Sequence, residues 1–406
     1  MPTEHPSFIG LDLGTSAIKG VLVSGKGELL ARARRAVVLL RFDEVCVEID
    51  PEAHWQSVYG IICELAAQSP APVAALAMAA AAGNTLLLNV DGSPRTRIIS
   101  WLDGRETWCP PPKWNVHEVV GWPAIPSFPL AHLHTIHRRH PEVLQGALVG
   151  MNNDYLAWRL CGRRALDVST ATPFYLQDQR TFAYHQPFLD AFGLQVDQLP
   201  ELLPSGTCIG TLLPELVAPG LTSATRIHAG SFDHPAAARA LDVMQEDELL
   251  ISCGTSWVGF YPKAERCISA GELTDPFLAQ QGGPWGGIFS VPQIGLRIEA
   301  WIGEHFGTGT DRYQTCNAAA LAGDTPARRM MLEIIEIFAA RLGAHRPRRL
   351  AMVGGPAEGA AWPTLLAHRL GLPVAVSTFH QDAGAVGAAR LAGAPPVPGE
   401  YRIFSP

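Results

Sequence analysis

The 406-residue chain is poor in charge, with Asp, Glu, Lys and Arg making up 17% of it, and its 31 basic and 38 acidic residues leave a net charge of −7. No run of Lys or Arg stands out. That excludes a dedicated binder of nucleic acid or anionic membrane, which needs a clustered positive field. An anionic ligand must therefore be held locally. Eight cysteines are present, but without a CxxC pair or a His/Cys spacing of zinc type, so scattered reduced thiols of a cytoplasmic enzyme are the simplest reading. Long apolar runs are missing too. Residues 71–82 are alanine-rich, broken by Pro72 and well short of the roughly 18 residues a membrane helix requires. The opening MPTEHPSF has neither the basic nor the apolar region of a secretory leader, and a soluble, cytoplasmic protein is expected. Glycine and proline, 39 and 33 residues, stay below the level that marks low complexity, while 47% hydrophobic residues supply a substantial core. At roughly 100–200 residues per domain, a chain of this length holds two or more domains.

What the sequence does contain is an internal echo. Residues 8–16 (FIGLDLGTS) are matched 240 positions later by 249–256 (LLISCGTS), and each Gly-Thr-Ser is followed by a second apolar stretch, AIKGVLV or WVGFY. Both copies read as strand, tight glycine turn, strand. A duplicated two-domain chain follows, with 207–226 the best linker and the boundary placed near Thr225. Helical and strand patterns alternate: 130–149, 154–160, 329–342, 361–370 and 383–391 read as helices, and 349–353 and 373–377 as strands, which indicates an α/β class.

A glycine after a buried strand lets the backbone approach a ligand, and turn amides with Thr and Ser hydroxyls form a cradle for phosphate oxygens. One such turn, Gly14-Thr15-Ser16, reads by itself as a plain hairpin; the second, Gly254-Thr255-Ser256, makes a paired phosphate grip the better reading. Asp12 is suited to a hydrated Mg2+ ion, or is simply a turn aspartate. Asp233, just ahead of Pro235 and three alanines, has the setting of a helix N-cap. Asp103 and Arg105 share one loop past the strand ending at Trp101, where they are either an exposed ion pair or a pair placed to bind vicinal hydroxyls. Trp101 itself is read as core. His132, His134, His137 and His140 form a histidine-rich helix face, read as solvated rather than metal-binding.

The ordered set of these motifs resembles the FGGY carbohydrate kinases of the actin-like ATPase superfamily. Residues 8–19 (FIGLDLGTSAIK) are similar to the first phosphate motif and 249–256 to the second. Further matches are Glu48-Ile49-Asp50-Pro51 with Trp55, Trp101-Leu102-Asp103-Gly104-Arg105, and Asn153-Asp154-Tyr155-Leu156 with Arg159-Leu160-Cys161-Gly162. Residues 353–388 are similar to the adenosine motif, and 229–235 (AGSFDHP) to the glycine-rich segment that ends in the catalytic aspartate. The resemblance implies two ribonuclease-H-like domains flanking a central cleft, with residues 1–225 mainly sugar-binding and 226–406 mainly ATP-binding. It implies ATP-dependent phosphorylation of a small sugar or polyol, with Asp233 as general base and Asp12 and Asp233 at Mg2+. Asp103, Arg105, Asn84 and His234 would bind substrate; Gly14, Thr15, Ser16, Lys19, Gly254, Thr255, Ser256, Gly354, Gly355 and Glu358 would bind ATP. No nucleic-acid or membrane partner is implied, and a homodimer is left open.

Three departures stand out. Residues 80–84 read AAAGN where relatives carry a Gly-Gln-Met-His-Gly substrate loop, so polar groups expected to touch the sugar are missing. The stretch between Thr255 and Arg329 is short and lacks a Gly-Glu-Arg segment, and Pro356 and Glu358-Gly359 stand where the adenosine motif has a third glycine and Lys-Ser. The rival readings are a catalytically degenerate family member that binds sugar or nucleotide as a regulator, and an actin-like ATPase of another kind. The 101–105 element and the Asp233 segment weigh against the latter.

Overall fold

The computed structural model describes residues 5–81, 83–105, 108–343 and 345–406. The first compact unit runs to Ala240 and takes in Asp275–Gly282 and Gly384–Val397; the second comprises Leu241–Thr274, Gly283–Ala383 and Pro398–Pro406.

The first unit is built on a six-stranded sheet of β1 (Ser7–Leu13), β2 (Ala17–Ser24), β3 (Leu29–Ala36), β4 (Val73–Ala80), β5 (Cys208–Thr211) and β6 (Arg226–Phe232), in the order β5-β6-β4-β1-β2-β3. β1 and β2 form the expected hairpin, in register from Ser7↔Ser24 to Leu13↔Ile18, and β1, β4 and β6 run parallel. Helix α1 (Pro51–Ala66) starts where Asp50 accepts a hydrogen bond from the Ala53 amide at 2.8 Å and proline occupies the first turn. It buries Trp55, Val58, Ile61, Ile62 and Leu65 against Ile9, Leu11 and Leu22 of the sheet. The stretch read as one helix from 130 divides into α2 (Pro129–Arg139), a short turn of helix and a strand, Leu148–Gly150, because Pro141 cannot continue the α2 hydrogen bonds. α3 (Asn152–Cys161) follows and stops at Gly162 in the left-handed region, φ +71°.

The second unit repeats the plan. Its seven strands are β7 (Glu248–Cys253), β8 (Trp257–Lys263), β9 (Leu273–Asp275), β10 (Trp285–Val291), β11 (Arg349–Gly354), β12 (Val374–Ser377) and β13 (Tyr401–Phe404), ordered β9-β10-β8-β7-β11-β12-β13. β7–β8 is the second hairpin, closed at Cys253↔Trp257, and β7, β11 and β12 are parallel. The series β3-β2-β1-β4-β6 in one unit therefore corresponds to β10-β8-β7-β11-β12 in the other, with the second strand antiparallel in both. This is the ribonuclease-H-like plan in duplicate. Its core packs Trp257, Phe289, Ile335, Phe338 and Trp362 between the sheet and the helices α5 (Ile294–Phe306), α6 (Arg312–Leu321), α7 (Pro326–Leu342) and α8 (Ala361–Leu370).

Three expectations about organisation are corrected. The compact units do not part at residue 225. Strand β6 pairs in parallel with β4, so the segment carrying Asp233 stays in the first unit, as does the helix behind it, α4 (Asp233–Ala240). The stretch 207–226 is not a linker, because β5 lies within it and pairs antiparallel with β6. Helix α9 (Ala383–Leu391) belongs almost wholly to the first unit; it lies so close to β1 that a Cβ on Gly10 would collide with the carbonyl of Ala385. Small side chains, Ala79, Ala236 and Ala388, fill the layer where β4, α4 and α9 meet.

Candidate active site

The ends of the parallel strands gather the polar residues of the first unit. Asp12, at the end of β1, is the register partner of Lys19 on β2 and of Ala79 on β4, which in turn pairs with Ser231 on β6. Residues in cross-strand register share a face of the sheet, so Asp12 and Lys19 are neighbours and Ser231 lies in the same row beyond Ala79. A β-bulge between His228 and Ser231 breaks the β6 register just before the strand delivers Asp233, a device that re-aims a strand end. Gly384, at the start of α9, packs against the Asp12 carboxylate: a Cβ there would lie 2.9 Å from Cγ and 3.0 Å from Oδ2.

Asp233 keeps 26% of its side chain open to solvent, yet it lies deep enough that loss of hydration raises its pKa to about 7. The hydrogen bond from the His234 amide at 2.7 Å and the charge of Lys19 work in the opposite direction without prevailing. Burial drives the neighbouring His234 imidazole down to about 4, opposed by the charge of Asp12. The imidazole is therefore neutral at pH 7, with Nε2 3.7 Å from Asp233 Oδ1. A carboxylate poised near neutrality beside a neutral imidazole is equipped to accept a proton.

The loop at 101–105 is organised inward. Asp103 is 1% exposed and accepts from the Val47 amide at 2.8 Å, from Arg105 Nε at 2.8 and 2.9 Å, and from Arg105 Nη2 at 2.6 Å. The same guanidinium bonds Glu48 at 2.7 Å, and these partners, Asp103 first, hold its pKa above the ordinary value. Asp103 thus orients Arg105, which is 30% exposed and is the member of the pair able to meet a ligand. Asn84 is likewise committed inside the protein: Nδ2 donates to Asn152 at 3.1 Å and Oδ1 accepts from the Trp101 amide at 3.1 Å. Trp101, read as core, is only half-buried, and its indole donates to Thr15 Oγ1 at 3.0 Å, tying this loop to the first Gly-Thr-Ser turn. Of the AAAGN stretch, Ala82 lies outside the described residues.

The histidines of α2 do not form one solvated face. His132 is 3% exposed, bonds Thr85 Oγ1 at 2.8 Å and is lowered to about 4 by burial; His134 stacks on Trp108 with centroids 4.0 Å apart, and only His137 and His140 are exposed. Among the described residues no group of three or more His, Cys, Asp or Glu is arranged to hold a metal ion.

The second unit contains a cavity of about 840 Å³ that brings together Gly254 and Thr255 of the β7–β8 turn with Gly355 and Glu358 of the turn after β11. Trp257 and Gly359 complete much of its wall together with Glu299, Tyr313 and Asn317, and no sequence motif pointed to these last three. Ser256 does not line it; its hydroxyl accepts from the Gln293 amide at 3.1 Å. Gly354 does not line it either, and has φ +96°. Arg402 of the last strand donates to the Glu358 carbonyl at 3.0 Å and to that of Ala357 at 2.6 Å, holding the turn that carries the unusual Pro356 and Glu358. The volume suits a nucleoside with its phosphates.

Residues 7–239 match the N-terminal domain of the FGGY family of carbohydrate kinases, which is more than half of the chain. The protein belongs to this family. It is 30% identical over 275 residues to the xylulose kinase of Escherichia coli (strain K12), covering 66% of this chain and 56% of that one, and 26% identical over 259 residues to the gluconokinase of Bacillus licheniformis, covering 61% and 50%. The chain spans about half the length of the curated relatives it matches. In fold it is similar to a gluconate kinase from Lactobacillus acidophilus (TM-score 0.87, 19% identity, 99% of this chain and 94% of the other) and to a ligand-bound xylulose kinase from the same species (TM-score 0.85, 19% identity, 99% and 94%). No helix among the described residues is long and apolar enough to cross a membrane.

Proposed function

We propose that the protein phosphorylates a hydroxyl of a small sugar or polyol at the expense of ATP. The observation that carries this reading is Asp233, delivered by a bulged strand next to a neutral His234 and within the field of Lys19, with a pKa of about 7. In the ionised form its carboxylate accepts the proton of the acceptor hydroxyl as the oxygen attacks the γ-phosphoryl group in line. Arg105, aimed by Asp103 and Glu48, and His234 bind the acceptor. Gly254, Thr255, Gly355 and Glu358 hold the nucleotide in the 840 Å³ cavity. Gly14, Thr15 and Ser16, with Lys19, are assigned to phosphate on the likeness of their turn to the Gly254-Thr255-Ser256 turn. Asp12, faced by His234, and Asp233 are the carboxylates that would hold a hydrated Mg2+, which would neutralise charge on the phosphoryl oxygens.

The substrate follows from what the site lacks. Alanine and glycine replace the polar loop at 80–83, and Asn84 has its side chain engaged by Asn152 and Trp101. A sugar that relies on those groups loses hydrogen bonds worth roughly 1–3 kcal/mol each, so the preferred acceptor is smaller or carries fewer hydroxyls than D-xylulose. ADP release measured over pentuloses, hexuloses, deoxy sugars, glycerol and other polyols tests both points. No turnover with any acceptor overturns the kinase reading; D-xylulose ranking first in kcat/KM overturns the substrate assignment alone.

A further inference from the structure

Phosphoryl transfer as described gives no role to four polar side chains buried behind Asp233. Ser169, Ser231 and Asp275 are wholly buried and Arg239 is 4% exposed. They converge on one residue. The Phe232 amide donates to Ser169 Oγ at 3.2 Å, and the Phe232 carbonyl accepts from Ser231 Oγ at 3.0 Å. Pairing of β6 with β5 has ended by this point, since its last register partner is His228, so hydroxyls stand where a neighbouring strand would otherwise bond.

Each hydroxyl is set by a charge. Ser169 Oγ donates to Asp275 Oδ2 at 2.8 Å, and Ser231 Oγ accepts from Arg239 Nη1 at 3.0 Å. A serine hydroxyl has a single proton. With the Ser169 proton committed to Asp275, its lone pairs face the Phe232 N–H; with Arg239 on a Ser231 lone pair, the Ser231 proton is left for the Phe232 carbonyl. The two hydroxyls are 3.5 Å apart, so without the charges they have each other as an alternative partner, which would release Phe232.

The charges are themselves anchored. Arg239 Nη2 donates to the Phe277 carbonyl at 2.6 Å and its guanidinium lies 4.6 Å from the centroid of that ring, while the Phe277 amide donates to Asp275 Oδ1 at 2.7 Å. Burial lifts Asp275 to about 6, with the Ser169, Phe277 and Arg239 interactions opposing it and Asp167 adding to it. Buried charges of this kind are costly, and they persist here in a network whose members are hydrogen-bonded.

We propose that Asp275 and Arg239 are positioning residues for phosphoryl transfer, acting through Ser169 and Ser231 to fix both polar groups of Phe232 and hence the direction in which Asp233 leaves the strand. This rests on the reading of Asp233 as the base. A displacement of about 1 Å at a reacting group costs on the order of 10²-fold in rate, whereas binding of acceptor and nucleotide by other residues is untouched.

The test is steady-state kinetics with ATP and the best acceptor from the screen, for Ser169→Ala, Asp275→Asn, the double variant, Ser169→Thr and Asp233→Asn. Ser169→Ala and Asp275→Asn should each lower kcat by about 10–100-fold with both KM values within about twofold. The double variant should be no slower than the slower single one, since both act on the same amide, and Ser169→Thr, which keeps the hydroxyl, should recover most of the rate. Unchanged kcat in folded Ser169→Ala, rates that fall only in proportion to the folded fraction, a rise in KM matching the fall in kcat, or losses that multiply in the double variant would each overturn the proposal. Should Ser169→Ala not fold, Ser231→Ala carries the same comparison. An active Asp233→Asn enzyme overturns the general-base reading; an inactive one beside a fully active Ser169→Ala overturns only the positioning role.

Discussion

Replacing Asp233 by asparagine should make the protein more stable while disabling it, and the gain should depend on pH in a defined direction. In the unfolded chain the carboxyl titrates near 3.8, and in the fold near 7 because burial disfavours the anion. Below pH 3.8 both states hold the proton and the group costs nothing. Between 4 and 7 the unfolded state ionises first, so the folded protein loses relative stability as pH rises, and above 7 the full penalty is present. Each pH unit of difference corresponds to about 1.4 kcal/mol, which sets a ceiling of about 4 kcal/mol. The open quarter of the side chain admits water, and asparagine forfeits the charge-assisted bond from the His234 amide. An advantage of about 1–3 kcal/mol for Asp233→Asn at pH 8 is therefore expected. Thermal or urea unfolding of both proteins at pH 5 and pH 8, with EDTA present to exclude Mg2+, measures it. The gap should widen toward pH 8 while kcat falls by roughly 10²–10⁴-fold with nucleotide affinity nearly unchanged. An Asp233→Asn protein less stable than wild type at pH 8, or a gap that does not change with pH, would refute the claim that the fold strains this carboxylate.

Wild-type kcat should fall on the acid side as Asp233 takes up a proton, at a pH below 7 because bound Mg2+ favours the carboxylate; a pH-rate profile flat from 4 to 8 contradicts this. Arg105→Lys should raise KM for the acceptor with little change in ATP affinity, and Arg105→Ala should also cost about 1–3 kcal/mol of stability by stripping the buried Asp103 of its partner, so an unaltered KM in both variants rejects the binding role. Gly384→Ala should press on the Asp12 carboxylate and raise the Mg2+ concentration needed for half-maximal rate, read from a metal titration; an unchanged midpoint counts against Asp12 at the metal. A structure with an ATP analogue should place the β- and γ-phosphates near the amides or hydroxyls of 14–16 and 254–256, and phosphates bound elsewhere would refute the paired grip.

Local chemistry was legible in the sequence. The two Gly-Thr-Ser hairpins and the arrival of Asp233 ahead of a helix follow from signals within a few residues, where backbone sterics decide the outcome; the Asp50-Pro51 start of α1 and the Gly162 stop of α3 were noted only as motif residues, though both are local capping signals. What only the tertiary structure decided are partnerships between distant residues. That β6 pairs with β4 rather than opening the second unit rests on parallel pairing across about 150 residues, which leaves no local trace. The same holds for α9, seated on β1 almost 380 positions away because Gly10 admits its backbone. Asp103 and Arg105 were found as motif residues, yet their mutual bonds turn the carboxylate inward, and Asn84 proved to be bound to Asn152. Ser169, Arg239 and Asp275 carried no signal at all, since a buried polar residue is recognisable only by the partner that satisfies it, and here the side-chain partners lie 8 and 106 residues away.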